Sequence, residues 1–266
     1  HSIIGYALMH GRAGENYWGL DANMSKDESG NWIIPPRDKY FWGDFGVAAR
    51  RSFRDWLKEK YKTKENLARA WHVENIDFDD VVSAQKWPAA KFVENLMWRN
   101  RPAGRFLFRD RTAEGALFHD FVQHQNAARA QLFIEAGQAV KEASGGRLLS
   151  GGYIGYVVPA LTNSPPALAQ HSGHLEWRML MDSPYIDYLF SPHFYHMRRA
   201  GDPVMPMSLP DSLRLNGKLW LNDYDSRTYL SPISPKTFSR VETREQFQKE
   251  FANAITHDEG WWWLEF

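Results

Sequence analysis

Gly217-Lys-Leu-Trp-Leu-Asn-Asp-Tyr-Asp-Ser-Arg-Thr228 passes within twelve residues from an apolar run into two acids and an arginine. Leu219, Trp220 and Leu221 form the continuous apolar segment expected of a strand covered on both faces, and Asn222, Asp223, Asp225 and Arg227 follow where it emerges. In parallel α/β folds, the carboxyl ends of strands from distant parts of the chain converge on one site. A second stretch has the same form. Ile3-Ile-Gly-Tyr-Ala-Leu-Met-His-Gly-Arg-Ala-Gly-Glu-Asn-Tyr-Trp18 runs from an apolar strand at 3–9 into a polar knot with Glu15 at its tip.

Between these two anchors, residues 19–45 are rich in Gly, Asp, Asn and Pro and are expected to form loop. Phe45, Ala49, Phe53, Trp56 and Leu57 recur at helical spacing, and Thr63 is placed to cap a second short helix ending near Trp71. Residues 73–114 are expected to be mostly extended or irregular. A long helix is predicted from Leu117 to Ser144, its face built from Phe121, Ala128, Leu132, Ala136, Ala139 and Val140, with Gly145-Gly146 stopping it. A strand follows at 147–157, then a helix opened by Pro165-Pro166 and running to about Met181, then a strand at 186–195. Past Lys218 and the anchor strand come a helix at 243–257 and a last strand at 260–266. Strands alternating with helices imply parallel strands joined by crossovers, and five strands fall short of the eight that close a barrel. The whole chain, 1–266, reads as one unit with a helical insertion at about 19–116. Because it opens at once on a core strand, it is expected to be a piece of a longer polypeptide.

Composition removes several function classes. Thirty-two basic residues balance 32 acidic ones, so no net field favours nucleic acid or an anionic membrane surface. No apolar run approaches the roughly 18 residues of a membrane span, and no signal peptide is visible. Without cysteine there is neither disulfide nor thiolate metal site, which suits the cytoplasm and equally a periplasmic or secreted protein whose signal has been removed. There is no glycine-rich phosphate loop and no Gly-x-Ser-x-Gly elbow. His171/His174 and His193/His196 stand on or near loops, where hydrogen bonding is the better reading than metal ligation. No cofactor and no metal are expected.

Carboxylates at strand ends remain: Glu15, Asp223, Asp225 and Glu265. Glycoside hydrolysis needs two, one to protonate the leaving oxygen and one to attack the anomeric carbon or activate water. Each acid alone is better explained by a salt bridge or cap, Asp225 especially, standing two residues from Arg227. The 12 Trp, 11 Tyr and 16 Phe add a second signal, because aromatic rings beside acids and amides, as in Glu15-Asn16-Tyr17-Trp18 and Trp261-Trp-Trp-Leu-Glu265, can stack on sugar faces.

Taken together, Ser172-Gly-His-Leu, Asp182-Ser-Pro-Tyr-Ile-Asp-Tyr-Leu-Phe-Ser-Pro-His-Phe-Tyr195, the Gly217–Thr228 stretch and Gly260-Trp-Trp-Trp-Leu-Glu265 resemble the C-terminal part of the catalytic barrel of β-galactosidase-like glycoside hydrolases of family 42 type. Phe53-Arg-Asp-Trp-Leu-Lys-Glu-Lys-Tyr61 and Leu67-Ala-Arg-Ala-Trp71 resemble the segment those enzymes carry after barrel strand four. The resemblance implies a partial TIM-type (β/α)8 barrel from strand four onward and a retaining mechanism on a β-linked sugar. Glu15 would be the acid/base and Asp223 would hold the nucleophile position. Asn16, Trp18, Tyr153, His193, Tyr195, Asp225, Arg227, Trp262 and Glu265 would shape the sugar pocket. Two departures stand out. Asp223 occupies a position usually held by glutamate, and Glu15 precedes Asn16 where the family order is Asn-Glu. The alternative is a non-catalytic carbohydrate-binding or inactive barrel fragment; a structural protein with its tryptophans in the core is a third reading. The expected partners are a glycoside or oligosaccharide, together with the missing barrel half or a second copy of the chain to cover open sheet edges.

Overall fold

The computed structural model describes residues 3–8, 25–26, 32–33, 46–83, 113–155, 157, 173–194, 197–232 and 235–264. Strand β1 (Gly5–Leu8) is followed by a two-residue pairing of β2 (Ser25–Lys26) with β3 (Trp32–Ile33), then helices α1 (Val47–Tyr61) and α2 (Lys64–Trp71) and a short 3-10 turn at Phe78–Val82. Helix α3 (Ala113–Ser144) leads to β4 (Leu149–Tyr153), α4 (Trp177–Asp182), β5 (Tyr188–Pro192), α5 (Pro210–Leu215), β6 (Leu219–Asp225), α6 (Arg240–Thr256) and β7 (Gly260–Leu264). The five long strands form one sheet in the order β1-β4-β5-β6-β7, every pair parallel. Each strand thus neighbours the next one of that sheet in the chain, the winding of a TIM-type barrel, and the result is a half-barrel with helices on its outer side.

Alternation sorts the strands into two faces. Leu189 and Trp220 point outward and are buried with Phe133 of α3, Trp177 and Leu180 of α4, and Leu213 of α5. Each such side chain contributes about 1.5–3 kcal/mol when fully buried, so this layer holds sheet and helices together. Tyr153, Tyr188 and Phe190 point inward with Leu149, Leu221 and Trp262. Gly151 makes room for them, because a Cβ there would run into the Tyr188 carbonyl and ring.

The insertion has its own core. Phe53 and Leu57 of α1, Leu67 and Trp71 of α2, and Ile76, Phe78 and Val81 pack on Leu117, Phe121 and Val122 at the start of α3. Asp120 is the polar centre of this assembly, accepting from Lys60 Nζ, Tyr61 Oη and Trp71 Nε1, each at 2.7 Å. Thr63 caps α2 as expected, accepting from Asn66 N.

Three expectations need correction. The buried face of α3 is not the one counted from apolar residues: Leu132 is 43% exposed, whereas Asn126, Arg129, Ala130 and Phe133 are buried. Asn126 belongs inside because its amide donates to Val122 O at 2.8 Å and its oxygen accepts Leu175 N at 3.0 Å. That second bond also explains why no helix runs continuously to Met181. Gly173 adopts φ +83°, the Leu175 N–H is drawn to α3, and α4 starts at Trp177; Pro165-Pro166, expected to open the helix, lie outside the described residues. Finally, residues 210–215, read as part of a loop, are helix α5 with Pro210 in its first turn, where a missing N–H costs nothing.

The edge strands remain open among the described residues. Ile3, Ile4 and Tyr6 are exposed beside β1, and Trp263 and Leu264 on β7.

Candidate active site

Strand register builds the inner face layer by layer. Tyr153, Phe190, Leu221 and Gly260 lie side by side; one step toward the carboxyl ends come Pro192, Asp223 and Trp262, and beyond them Asp225 beside Leu264. The rings form a continuous aromatic wall: Tyr153 meets Phe190 edge-on at 5.5 Å, and Phe190 meets Trp262 edge-on at 5.0 Å. Asp223 therefore stands directly above this wall with Trp262 as its lateral neighbour. Its side chain is 7% exposed. A carboxylate at that depth, with Trp262 as its neighbour on the next strand, is suited to a ligand that presents both apolar and hydrogen-bonding surfaces.

Asp225 is placed two residues further along the same face and is held by two arginines. Arg198, fully buried, donates to Asp225 Oδ2 at 2.7 Å, to its carbonyl at 2.5 Å and to His193 O at 2.7 Å. Arg227 approaches the same carboxylate at 3.3–3.4 Å. Asp225 thus ties the exits of β5 and β6 together, and Arg227 sits at the mouth of the inner face with φ +51°.

His193 is turned to the other side. It is fully buried, its ring 5.3 Å from that of Tyr224 and its Nε2 3.5 Å from Glu250 Oε1. Its burial holds the imidazole neutral, and the nearby Arg198 and Lys249 push in the same direction. Glu15, Asn16, Trp18, Tyr195 and Glu265 lie outside the described residues. Of the sequence-derived set, the structure therefore brings together Tyr153, Asp223, Asp225, Arg227 and Trp262. His174, weighed against metal ligation, accepts Gly155 N on Nδ1 at 3.3 Å. Among the described residues no group of three potential metal ligands occurs.

Two contributors were not singled out in the sequence: Arg198 and Glu250. The Arg198-Arg199 pair directly follows a strand exit, which is a readable signal. Glu250 lies inside an amphipathic helix and offers none. Its carboxylate, fully buried behind β6, accepts from Ser226 Oγ at 2.7 Å, Gln246 Nε2 at 2.6 Å and Trp263 Nε1 at 3.0 Å. It pins the residue after Asp225 to α6 and β7.

Burial raises the Glu250 carboxyl above its ordinary value of 4.5, partly offset by those three donors. A raised carboxyl means that the folded chain keeps a proton the unfolded chain has released. The stability linked to Glu250 is therefore full below about pH 4.5 and is lost as pH climbs through the raised value. His124, lowered by burial to about 4, acts in the opposite sense, losing stability as pH falls below its ordinary value of 6.5. Glu250→Gln keeps an acceptor for Ser226 and Trp263, and a flip of the Gln246 amide accommodates the new NH2. Wild type minus Glu250→Gln cancels the His124 contribution, so that difference in Tm should decline as pH rises from about 4.5 through the raised value. A difference independent of pH would show that Glu250 does not titrate in this window.

No protein-family model matches the chain, and no curated protein matches it. Among solved structures, the catalytic domain of β-amylase from Paenibacillus polymyxa is similar over 91% of this chain and 53% of that one, with a TM-score of 0.50 and 15% identity. The chain spans about half the length of that structure. At this identity the likeness concerns the fold: the chain carries part of the TIM-type barrel seen in that glycoside hydrolase domain.

Proposed function

We propose that the chain is the carboxyl-terminal part of a glycoside hydrolase barrel that works with two carboxylates. Asp223 supplies the carboxylate on the inner face, and Glu15, on the segment after β1, supplies the other. The observation that carries this reading is the position of Asp223: inner face, carboxyl end of a parallel barrel strand, Trp262 beside it and the Tyr153–Phe190 pair below. That end of a TIM-type barrel is where chemistry is placed. The similarity to a β-amylase catalytic domain supports the barrel part of the reading. The likeness to β-galactosidase-like enzymes of family 42 type makes an aryl β-galactoside the first substrate to try.

In a retaining mechanism Asp223 attacks the anomeric carbon while Glu15 protonates the departing oxygen, and Glu15 then takes a proton from the water that releases the sugar. Trp262, half-buried, stacks on the ring with the buried Tyr153–Phe190 pair packed beneath it, and Arg198 with Arg227 fixes Asp225 at the rim. The test is turnover of aryl β-glycosides by the chain and by Glu15→Gln. With a poor leaving group, which depends on protonation, Glu15→Gln should lose about 10²-fold in kcat, and with an activated leaving group clearly less. Equal activity of the two proteins on both substrates would remove Glu15 from the mechanism. Saturable sugar binding without any turnover would instead identify a carbohydrate-binding barrel fragment.

A further inference from the structure

We propose that the exits of β5 and β6 form a subsite for an anionic group on the saccharide, a carboxylate, sulfate or phosphate, bound by Arg227 and Lys236 at the rim above Asp223. The proposal rests on the inner face being the sugar site.

Charge is the first argument. The exit segments 193–209 and 226–239 carry Arg198, Arg199, Arg227 and Lys236, and their only acid is Asp202, with Asp225 at the strand end between them. Residues 195, 196, 233 and 234, which the structure does not describe, are Tyr, His, Ile and Ser and add no carboxylate. The balanced charge of the whole chain is thus broken locally, at the mouth of the inner face.

Geometry shows how the two carboxylates are used. Asp225 is engaged at 2.7 Å by the buried Arg198, and Arg227 shares the same oxygens only at 3.3–3.4 Å. Asp202 accepts the Arg199 backbone N–H at 2.9 Å, and a further cation, Lys249, lies on the Asp202 and Arg199 carbonyls. Lys236 is placed against Arg227 by its own N–H, which donates to Arg227 O at 2.8 Å. The Lys236 ammonium is disfavoured first by burial and then by Arg227, Arg198 and Arg199, with Asp225 working the other way. Cations crowded at a half-buried rim repel one another, and a bound oxyanion relieves that repulsion while accepting charge-assisted hydrogen bonds from guanidinium and ammonium.

Backbone strain points to the same residue. Arg227 holds φ +51°, a left-handed conformation uncommon for a side chain of this size. Strain of this kind costs on the order of 1 kcal/mol and concentrates at ligand sites. It turns the chain two residues after Asp225, where β6 ends about 7 Å beyond Asp223 at strand rise. An acidic substituent projecting outward from a ring seated at Asp223 would meet it.

The experiment compares para-nitrophenyl β-glycosides in four arms: neutral, uronate, sulfated and phosphorylated. Both kcat/KM and Kd are measured at low and high salt for the chain, Lys236→Met and Arg227→Met. At low salt one anionic arm should exceed the neutral arm by tenfold or more, salt should shrink the advantage, and either substitution should cut it at least tenfold. The arm that wins identifies the anion. Unfolding curves confirm that each variant is folded, and Lys236→Met decides if Arg227→Met is not. Equal use of neutral and anionic glycosides would overturn the subsite while leaving the hydrolase reading in place. Anionic binding that depends on Lys236 but gives no turnover would sustain the subsite and end the hydrolase reading. Binding in no arm, or an anionic advantage untouched by either substitution, overturns the subsite.

Discussion

Replacing Asp223 by asparagine should lower kcat on an aryl β-glycoside by about 10⁴-fold or more, with Kd for the unreacted glycoside changed by only a few-fold. The substitution keeps the volume and one acceptor oxygen, turns the other oxygen into an NH2 donor and removes the charge proposed to attack. Because Asp223 lies within β6, with Pro192 and Trp262 as register partners, its backbone is set by the sheet and not by the amide introduced. A small loss in kcat would mean that sugar binds here without Asp223 reacting. Asp223→Glu probes the proposed likeness to family 42 enzymes, which usually carry glutamate at the matching position. Retaining enzymes hold their two carboxyls about 5–5.5 Å apart, and aspartate falls one methylene short of the usual glutamate. If that shortfall has detuned the site, Asp223→Glu should raise kcat. If it lowers kcat, the backbone has already moved to suit the shorter acid. Initial rates and Kd for both variants, measured on one substrate, separate these outcomes.

How much of this was legible in the sequence depended on which physical signal each element carried. The parallel strands read clearly because segments such as Leu219-Trp-Leu221 and Tyr188-Leu-Phe190 are apolar runs, and all five strands fall within the stretches expected to form them. Helix caps read clearly for the same local reason, as at Thr63. The face of α3 did not, because a count of apolar residues cannot see that Asn126 is buried with both ends of its amide bonded. Nor can it see that Gly137 is interior, where a Cβ would strike the Tyr185 carbonyl. Helix α4 began late because a tertiary bond, Leu175 N to Asn126, outweighed the local propensity of the residues before it. At the site, Asp223, Trp262 and Tyr153 were visible as polar or aromatic residues at strand ends. The outward orientation of His193 was not, since it follows from one step of alternation past Pro192. Arg198 and Glu250 escaped because their role lies in partners from distant segments, 27 positions away for Asp225 and 24 for Ser226.

Arg198→Met should destabilise the chain by about 3–5 kcal/mol in urea unfolding, the range for removing one partner of a buried ion pair. Arg198 is fully exposure-free and Asp225 only 4% exposed, so water cannot replace the lost guanidinium. Three acceptors lose a donor at once: Asp225 Oδ2, Asp225 O and His193 O. Arg227, at 3.3 Å from the same carboxylate and partly exposed, can move in and recover a fraction of the ion pair, which sets the effect nearer the lower bound. Among the described residues no other side chain donates to the two carbonyls. Asp225→Asn in the same background separates the parts: once the buried charge is gone, the remaining penalty belongs to the carbonyls that Arg198 tied across the β5 and β6 exits. The double variant should therefore be more stable than Arg198→Met alone. If it is less stable, the Asp225 carboxylate is supported chiefly by Arg227, and the rim of the site is held from the solvent side and not from within the fold.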